Sequence, residues 1–440
     1  MLEKMLDQVS LRLEKSPARQ WEIFLAHNQR FSLSIKENEV DKIEESESMG
    51  LALRVLKEDR LGFSYLIGSD LNRLDAAIHS ALAGAAAGDP APGLTMAPAA
   101  RYENGMELYF APEETDACLD LARRMAGAAL AVSSKVSHVF PAGVEQKLSQ
   151  TFLRTSQGFD GQYRDSLVSA YCAVIAQDKG QQEEAWEGTG ARRWKDIDVS
   201  RIGREAAGKA VSGLGAAKAP GGLYQVLFTN EVAAYFVDLL SFSLQGDNLG
   251  KGRSQLLGRQ GEKLFSPVIN LSDNPLAPLA TGSRPFDDEG TPSQITPLII
   301  EGVFSDFIRD RYWGIRSGLA STGNSRRSGL KGPPQIGFSN LILAPGKASF
   351  DQLRSQMERG LIVEQILGGH TADPVSGQFS LGLAGKLVEK GEITTPVRGN
   401  ALAGQIMELF AGIRQLGNDI KDFSGTQAPS MLAADIAISG

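Results

Sequence analysis

Histidine and cysteine are scarce: the 440 residues hold four of the first and two of the second. A zinc site usually draws three or four His, Cys or carboxylate ligands, and a close pair on one element is its best sequence sign. His27, His79, His138 and His370 each stand more than fifty residues from the next, and neither H-E-x-x-H nor C-x-x-C occurs. Cys118 and Cys172 lie in apolar, regular-looking segments and read as small buried hydrophobes; a disulfide has no support from spacing, and a cytosolic compartment is expected. Nucleophile motifs are missing too. No G-x-S-x-G is present, and the glycine-rich basic stretch from Leu249 to Gly261 does not match a Walker loop, so it reads as a solvated loop. Long apolar runs are lacking. Ile295-Thr-Pro-Leu-Ile-Ile falls far short of the roughly 18 residues a membrane helix needs. The opening Met1-Leu-Glu-Lys-Met-Leu-Asp has no basic flank and apolar block, so no secretory leader is expected. A basic excess is also absent. The 45 Lys and Arg face 52 Asp and Glu, a net charge of −7, which argues against nucleic-acid binding. Arg192-Arg193, Arg326-Arg327 and Lys331 are short basic clusters and read as solvated surface.

What is present is an ordinary globular composition, 42% hydrophobic and 22% charged, long enough for two or three domains. Apolar Leu2, Met5, Leu6, Val9 and Leu13 predict a helix from Leu2 to Ser16. Five short strands follow, starting at Trp21, Phe31, Val40, Gly50 and Gly62, and Asp70 is placed to cap a helix over 71–87. A Pro- and Gly-rich crossing at 87–93 leads to a helix over 112–133, two or three strands over 144–176, and a helix over 200–214. Beyond Gly221 short apolar runs alternate with Gly and Pro, interrupted by helices at 231–244, 350–360 and 401–416. The class is α+β. A mixed α/β domain over 1–218, with a sub-boundary near 88–100, precedes a mainly antiparallel β domain over 219–440 carrying a few helices.

Two places hold residues with chemical potential. Arg284-Pro-Phe-Asp-Asp-Glu-Gly-Thr-Pro sets Asp287, Asp288 and Glu289 in succession. Three carboxylates could hold a cation or orient a peptide amino group, and the same Asp, Gly and Pro residues also make a tight turn. Arg284 and these acids are therefore candidates for a peptide cleft or for a structural motif. His370, in Gly368-Gly-His-Thr-Ala-Asp, is the one histidine in a flexible loop. Paired with Asp373 or the acidic run, it would serve an independent hydrolase, and a plain loop histidine is the competing reading.

The acidic motif resembles the TldD/PmbA peptidase family. The likeness extends through Gly50-Leu-Ala-Leu-Arg-Val, Gly62-Phe, Pro345-Gly-Lys, Gly360-Leu-Ile-Val-Glu, Gly377-Gln-Phe-Ser, Gly391-Glu-Ile-Thr-Thr-Pro-Val-Arg-Gly and Gly417-Asn-Asp, in similar order over nearly the whole chain. The resemblance implies one of two subunit kinds. The TldD kind carries an H-E-x-x-x-H metal helix and a C-terminal cysteine; the PmbA (TldE) kind lacks both and pairs with it to cut unfolded or short peptides. Leu244-Gln-Gly-Asp resembles the sequence after the metal helix. Counting back, the histidine positions fall on Val237 and Phe242 and the glutamate position on Asp238. Hydrocarbon offers a metal no lone pair, and no cysteine follows Phe423. The resemblance therefore implies a PmbA-type subunit with no cofactor of its own, zinc only in a TldD-like partner, and peptides as substrates. A stand-alone homodimeric scaffold is the alternative. Modulation of DNA gyrase, also ascribed to the family, has no direct support in these residues.

Overall fold

Trp21, Ile23, Leu25, Leu33 and Ile35 occupy odd positions of one strand, so their side chains share a face. The computed structural model describes residues 2–440. It places that strand, β1 (Gln20–Lys36), near the middle of a six-stranded antiparallel sheet with β2 (Glu39–Lys57), β3 (Arg60–Ile67), β4 (Val136–Thr155), β5 (Asp160–Asp178) and β6 (Gln181–Ala191), in the order β3-β2-β1-β4-β5-β6. Four helices, α1 (Leu2–Glu14), α2 (Leu74–Ala87), α3 (Thr115–Leu130) and α4 (Val199–Gly213), bury the apolar face. Both cysteines are reduced and buried there, and burial lifts their thiols to about 11 for Cys118 and about 12 for Cys172.

The five short strands expected from the sequence are in fact three. No turn interrupts β1 at His27–Arg30 or β2 at Glu44–Ser48. Residues 39–48 are exposed on both faces of the β1–β2 hairpin, so their polarity reflects solvent and carries no turn signal. The real turns are two-residue reversals in the left-handed region, Glu37-Asn38, Glu58-Asp59 and Lys179-Gly180, which match the strand twist. In the same way, the strands read at 144–176 extend from Val136 to Asp178, and β6 lies beyond them. Asp70 caps a single 3-10 turn, Leu71–Arg73, ahead of α2.

From Gly222 onward the chain builds two further six-stranded sheets. The first has the order β16-β15-β14-β7-β20-β17. It is made of β7 (Gly222–Phe228), β14 (Arg359–Leu367), β15 (Gln378–Glu389), β16 (Glu392–Gln405), β17 (Ile413–Leu416) and β20 (Met431–Ser439). The second has the order β10-β9-β8-β13-β19-β18. Its strands are β8 (Leu271–Asp273), β9 (Thr296–Ile300), β10 (Val303–Phe304), β13 (Leu341–Leu343), β18 (Lys421–Phe423) and β19 (Thr426–Ala428). A two-stranded pair, β11 (Ser325–Arg326) and β12 (Gln335–Ile336), and the short helices α6 (Gly246–Gly250) and α7 (Arg311–Ser317) complete the loops. Most pairings are antiparallel, while β7–β14 and β13–β19 run parallel. The helix α5 (Asn230–Ser241) fills the space between these sheets, with Val232, Phe236, Val237 and Leu240 buried.

Two expected helices of this half are shorter or replaced. At 350–360 the helix α8 (Phe350–Ser355), closed by a Ser349–Gln352 capping box, gives way to β14, which already holds Gly360. The segment 401–416 is the end of β16, the one-turn helix α9 (Ile406–Ala411) and β17. Alternation overrides helical propensity here: Asn400 and Leu402 point inward, and Asn400 bonds the Ala219 backbone and the Ser439 carbonyl. Among the described residues no helix is long and apolar enough to cross a membrane.

Candidate functional site

The face of the first sheet opposite its helices mixes polar side chains with a small apolar cluster of Phe24, Ala26, Ala52 and Leu153. Register places Glu22, Phe24, Ala26 and Asn28 of β1 beside Arg54, Ala52, Gly50 and Ser48 of β2, and beside Thr155, Leu153, Thr151 and Ser149 of β4. On β5, Tyr163 and Asp165 continue the row. Loops from the C-terminal half roof this floor at 281–288 and 326–332, and between the two lies a cavity of about 540 Å³.

The roof is fixed by buried charge. Arg54 donates through two nitrogens to both Glu22 oxygens and through a third to Glu289 Oε1 at 2.6 Å. Glu22 also accepts from Arg327 Nη2 at 2.6 Å, and Glu289 Oε2 accepts the Arg311 backbone N–H at 3.0 Å. Burial alone would raise the Glu289 carboxyl, but Arg54 and the Arg311 N–H outweigh it and hold the group below its ordinary range. Asp287 makes the turn: it accepts N–H groups of Glu289, Thr291 and Ser325 at 2.8–3.0 Å. Its burial, and after that the Glu289 charge, push its carboxyl up to about 7. Asp288 Oδ2 takes the Arg327 N–H at 2.6 Å, and its other oxygen lies 3.6 Å from Arg284. All three acids of the motif are thus occupied by this chain's own donors. Arg284 and Asp288 line the cavity, with Asp287 and Glu289 behind them.

An aromatic cluster seats the same turn. Phe286 packs edge-on to Tyr102, Phe159 and Tyr163, with ring centroids 4.9, 5.1 and 5.3 Å away. Arg192, just past β6, reaches across to the carbonyls of Ala280, Thr281 and Ser283. Deeper in the seam Glu187 holds Lys209 and Lys421, each at 2.8 Å.

A second recess of about 1040 Å³ continues along the same face over β5 and β6, sharing Thr281, Gly282 and Arg326 with the first. Tyr171, Trp186, Phe338 and Phe423 give it aromatic walls. Asp238 projects from α5 into it and accepts a hydrogen bond from Thr426 Oγ1. Burial raises its carboxyl above the ordinary range, and the Thr426 contact offsets part of that. Val237 is buried in the core beneath, and Phe242 is half-buried just past the end of α5 under Arg253. The residues expected at the metal-helix positions thus separate, only Asp238 facing the cleft. Val237 and Phe242 have no donor atoms, and among the described residues no three His, Cys, Asp or Glu side chains cluster as a metal site would require. The donor set does not fit zinc. His370 is exposed on the one-turn helix between β14 and β15 and lines neither recess. Asp373 is occupied by Ser376 and the Val375 N–H, which keep its carboxyl low.

One reading from the sequence is overturned. Arg192 and Arg326-Arg327 are not solvated surface: Arg192 is buried, the Arg327 side chain is 1% exposed, and Arg326 is half-buried in the roof. The basic loop after Leu249 stays as expected, its charges paired locally with Asp247 and Glu262. No clear alternation signals the cleft in the sequence: Gln150 stands between Ser149 and Thr151, and Arg164 between Tyr163 and Asp165.

Three family models cover most of the chain. The PmbA/TldA metallopeptidase domain 1 matches residues 21–85, the central domain 109–214 and the C-terminal domain 221–440. Metalloprotease PmbA of Escherichia coli O157:H7 is 25% identical over 95% of this chain and 92% of its own length. A PmbA homolog of Buchnera aphidicola is 27% identical over 65% of this chain and 62% of its own, so the chain spans less than two thirds of that relative. Relatives named TldD homologs match as well. The crystal structure of TldE from Thermococcus kodakarensis superposes with a TM-score of 0.91 over 99% of this chain and 100% of that one, at 21% identity, a likeness of fold.

Proposed function

The chain belongs to the PmbA/TldD metallopeptidase family, and from that premise we propose that it is a PmbA/TldE-type subunit that binds peptide without cutting it. The observation that carries this reading is Asp238. It faces a large cleft from the helix where the TldD kind is expected to hold metal, while its neighbours at the ligand positions, Val237 and Phe242, are hydrocarbon. One carboxylate without imidazoles is a poor zinc site and supplies no Lewis acid to acidify a water. Zinc and the hydrolytic step would then come from a TldD-like partner. This chain would supply a wall of the shared cleft, where polar backbone and aromatic side chains hold an unfolded or short peptide in extended form.

The test is to mix the purified chain with a TldD-like chain and follow zinc content and peptide cleavage. Cleavage that needs both chains, with zinc only in the partner, is expected. Robust cleavage and stoichiometric zinc in this chain alone would overturn the proposal.

A further inference from the structure

The smaller cavity is lined by more cations than acids. Arg284, Arg326, Arg327 and Lys331 line it from the roof and Lys147 from the floor; Arg327 is paired with Glu22, and the acids Asp165 and Asp288 are already engaged near Arg192 and Arg284. Arg192 is spent on carbonyls. Arg284 is different. Its side chain is 5% exposed, its nearest acid is 3.6 Å off, and both Nε and Nη2 have no hydrogen-bond partner. Arg327, 1% exposed, likewise leaves Nε unpartnered. A buried N–H without an acceptor costs about 1–3 kcal/mol, more for a charged group, so three of them beside one cavity would gain from an acceptor placed there. Burial first, and after it the nearby Arg284 charge, disfavour the charge on Arg326, and an anion between the two guanidiniums would relieve the second of these.

We infer that this arginine pocket receives a peptide carboxylate, terminal or side-chain, in the cleft of the proposed peptide-binding subunit, an inference that rests on that proposal. A carboxylate matches the planar guanidinium fork, which binds it through two parallel N–H donors. The cavity adjoins the aromatic recess that holds Asp238 at Thr281, Gly282 and Arg326, so a chain anchored at Arg284 would be directed along the sheet toward that recess. The arginines set the position and polarity of the peptide, and the aromatic walls accept its side chains.

The experiment uses the intact chain alone and four probes: a pentapeptide with a free C-terminal carboxylate, its C-terminal amide, the amide carrying one glutamate, and inorganic phosphate. Trp186, 60% exposed in the recess, serves as fluorescence reporter beside calorimetry. The free acid is expected to bind at least tenfold tighter than the plain amide, with affinity falling as salt rises. Recovery by the glutamate-bearing amide assigns the carboxylate to a side chain; no recovery assigns it to the terminus. Arg284→Gln should erase the acid–amide difference. Equal affinity of acid and plain amide overturns the inference even if the variant fails to fold, because that comparison needs only the native chain. Phosphate binding tighter than every peptide also overturns it, as does no peptide binding at all. Peptide cleavage with a TldD-like partner is scored separately, so the pocket can fail while the subunit role stands, and the reverse.

Discussion

Arg54→Met should cost more stability than any exposed substitution in this chain. The guanidinium makes three charged hydrogen bonds, two to Glu22 and one to Glu289, inside a seam where its side chain is 5% exposed and both acids are nearly sealed. Hydrogen bonds to charged groups are worth roughly 1.5–3 kcal/mol each, or about 5–9 kcal/mol gross for three. Several kcal/mol are returned because methionine need not be stripped of water, which leaves a net loss of about 3–5 kcal/mol from two stranded carboxylates. Arg327 still holds Glu22, and the Arg311 N–H still holds Glu289, so the lower half of that range is expected. Urea unfolding followed by tryptophan fluorescence measures the loss. Adding Glu289→Gln to the variant removes one stranded charge, so the double variant should be more stable than Arg54→Met by about 1 kcal/mol or more. If Arg54→Met unfolds within 0.5 kcal/mol of the native chain on the order-of-magnitude scale for surface changes, the seam is not held by this network.

Three further outcomes are expected. Phe286→Ala empties the centre of four packed rings and should cost about 3–5 kcal/mol, read in the same urea titration; a loss under about 1 kcal/mol would show the cluster to be loosely packed. Gly282→Ala would put a methyl carbon 1.9 Å from the Ser339 carbonyl oxygen at the junction of the two recesses, so the loop must move. A loss of about 1–3 kcal/mol and weaker peptide binding are expected, and an unchanged chain on both counts would contradict the close approach. Asp310 caps α7 through the Trp313 N–H, and burial, then the Glu289 charge, raise its carboxyl to about 7. Asp247 disfavours its charge further, while Arg54 favours it. A raised carboxyl contributes stability that is full below the unfolded value near pH 4 and is lost as pH rises through about 7. Asp310→Asn keeps the cap without the charge, so its stability relative to the native chain should improve by on the order of 4 kcal/mol from pH 4 to 8. A flat difference across that range would refute the assignment.

How much was legible beforehand depended on the range of the interaction. The helices α1 and α4 were readable within two residues at each end because apolar residues recur at helical steps. Strand lengths were not, since the projecting hairpin carries charges on both faces and mimics a loop. The acidic turn was visible as a turn, and Asp287 makes it by local backbone contacts. What stayed hidden was the purpose of the arginines. Arg327 meets Glu22 across 305 positions of sequence, and Arg54 meets Glu289 across 235. No window of neighbouring residues reports such a pairing, and two arginines between serines look like any wet loop. Asp238 was found through the family likeness; that it faces the cleft while Val237 turns to the core follows from the pitch of α5 against the sheets.

The two thiols sealed behind the first sheet have a practical effect. Nucleophilic attack needs thiolate and access, and Cys118 and Cys172 offer little of either at neutral pH. A single cysteine placed at the rim of the cleft, at Ser328 for instance, would therefore be the one position that a maleimide dye marks in the native fold. The molecule comes ready for site-specific labelling, with no background to remove, and a dye there would watch a peptide arrive.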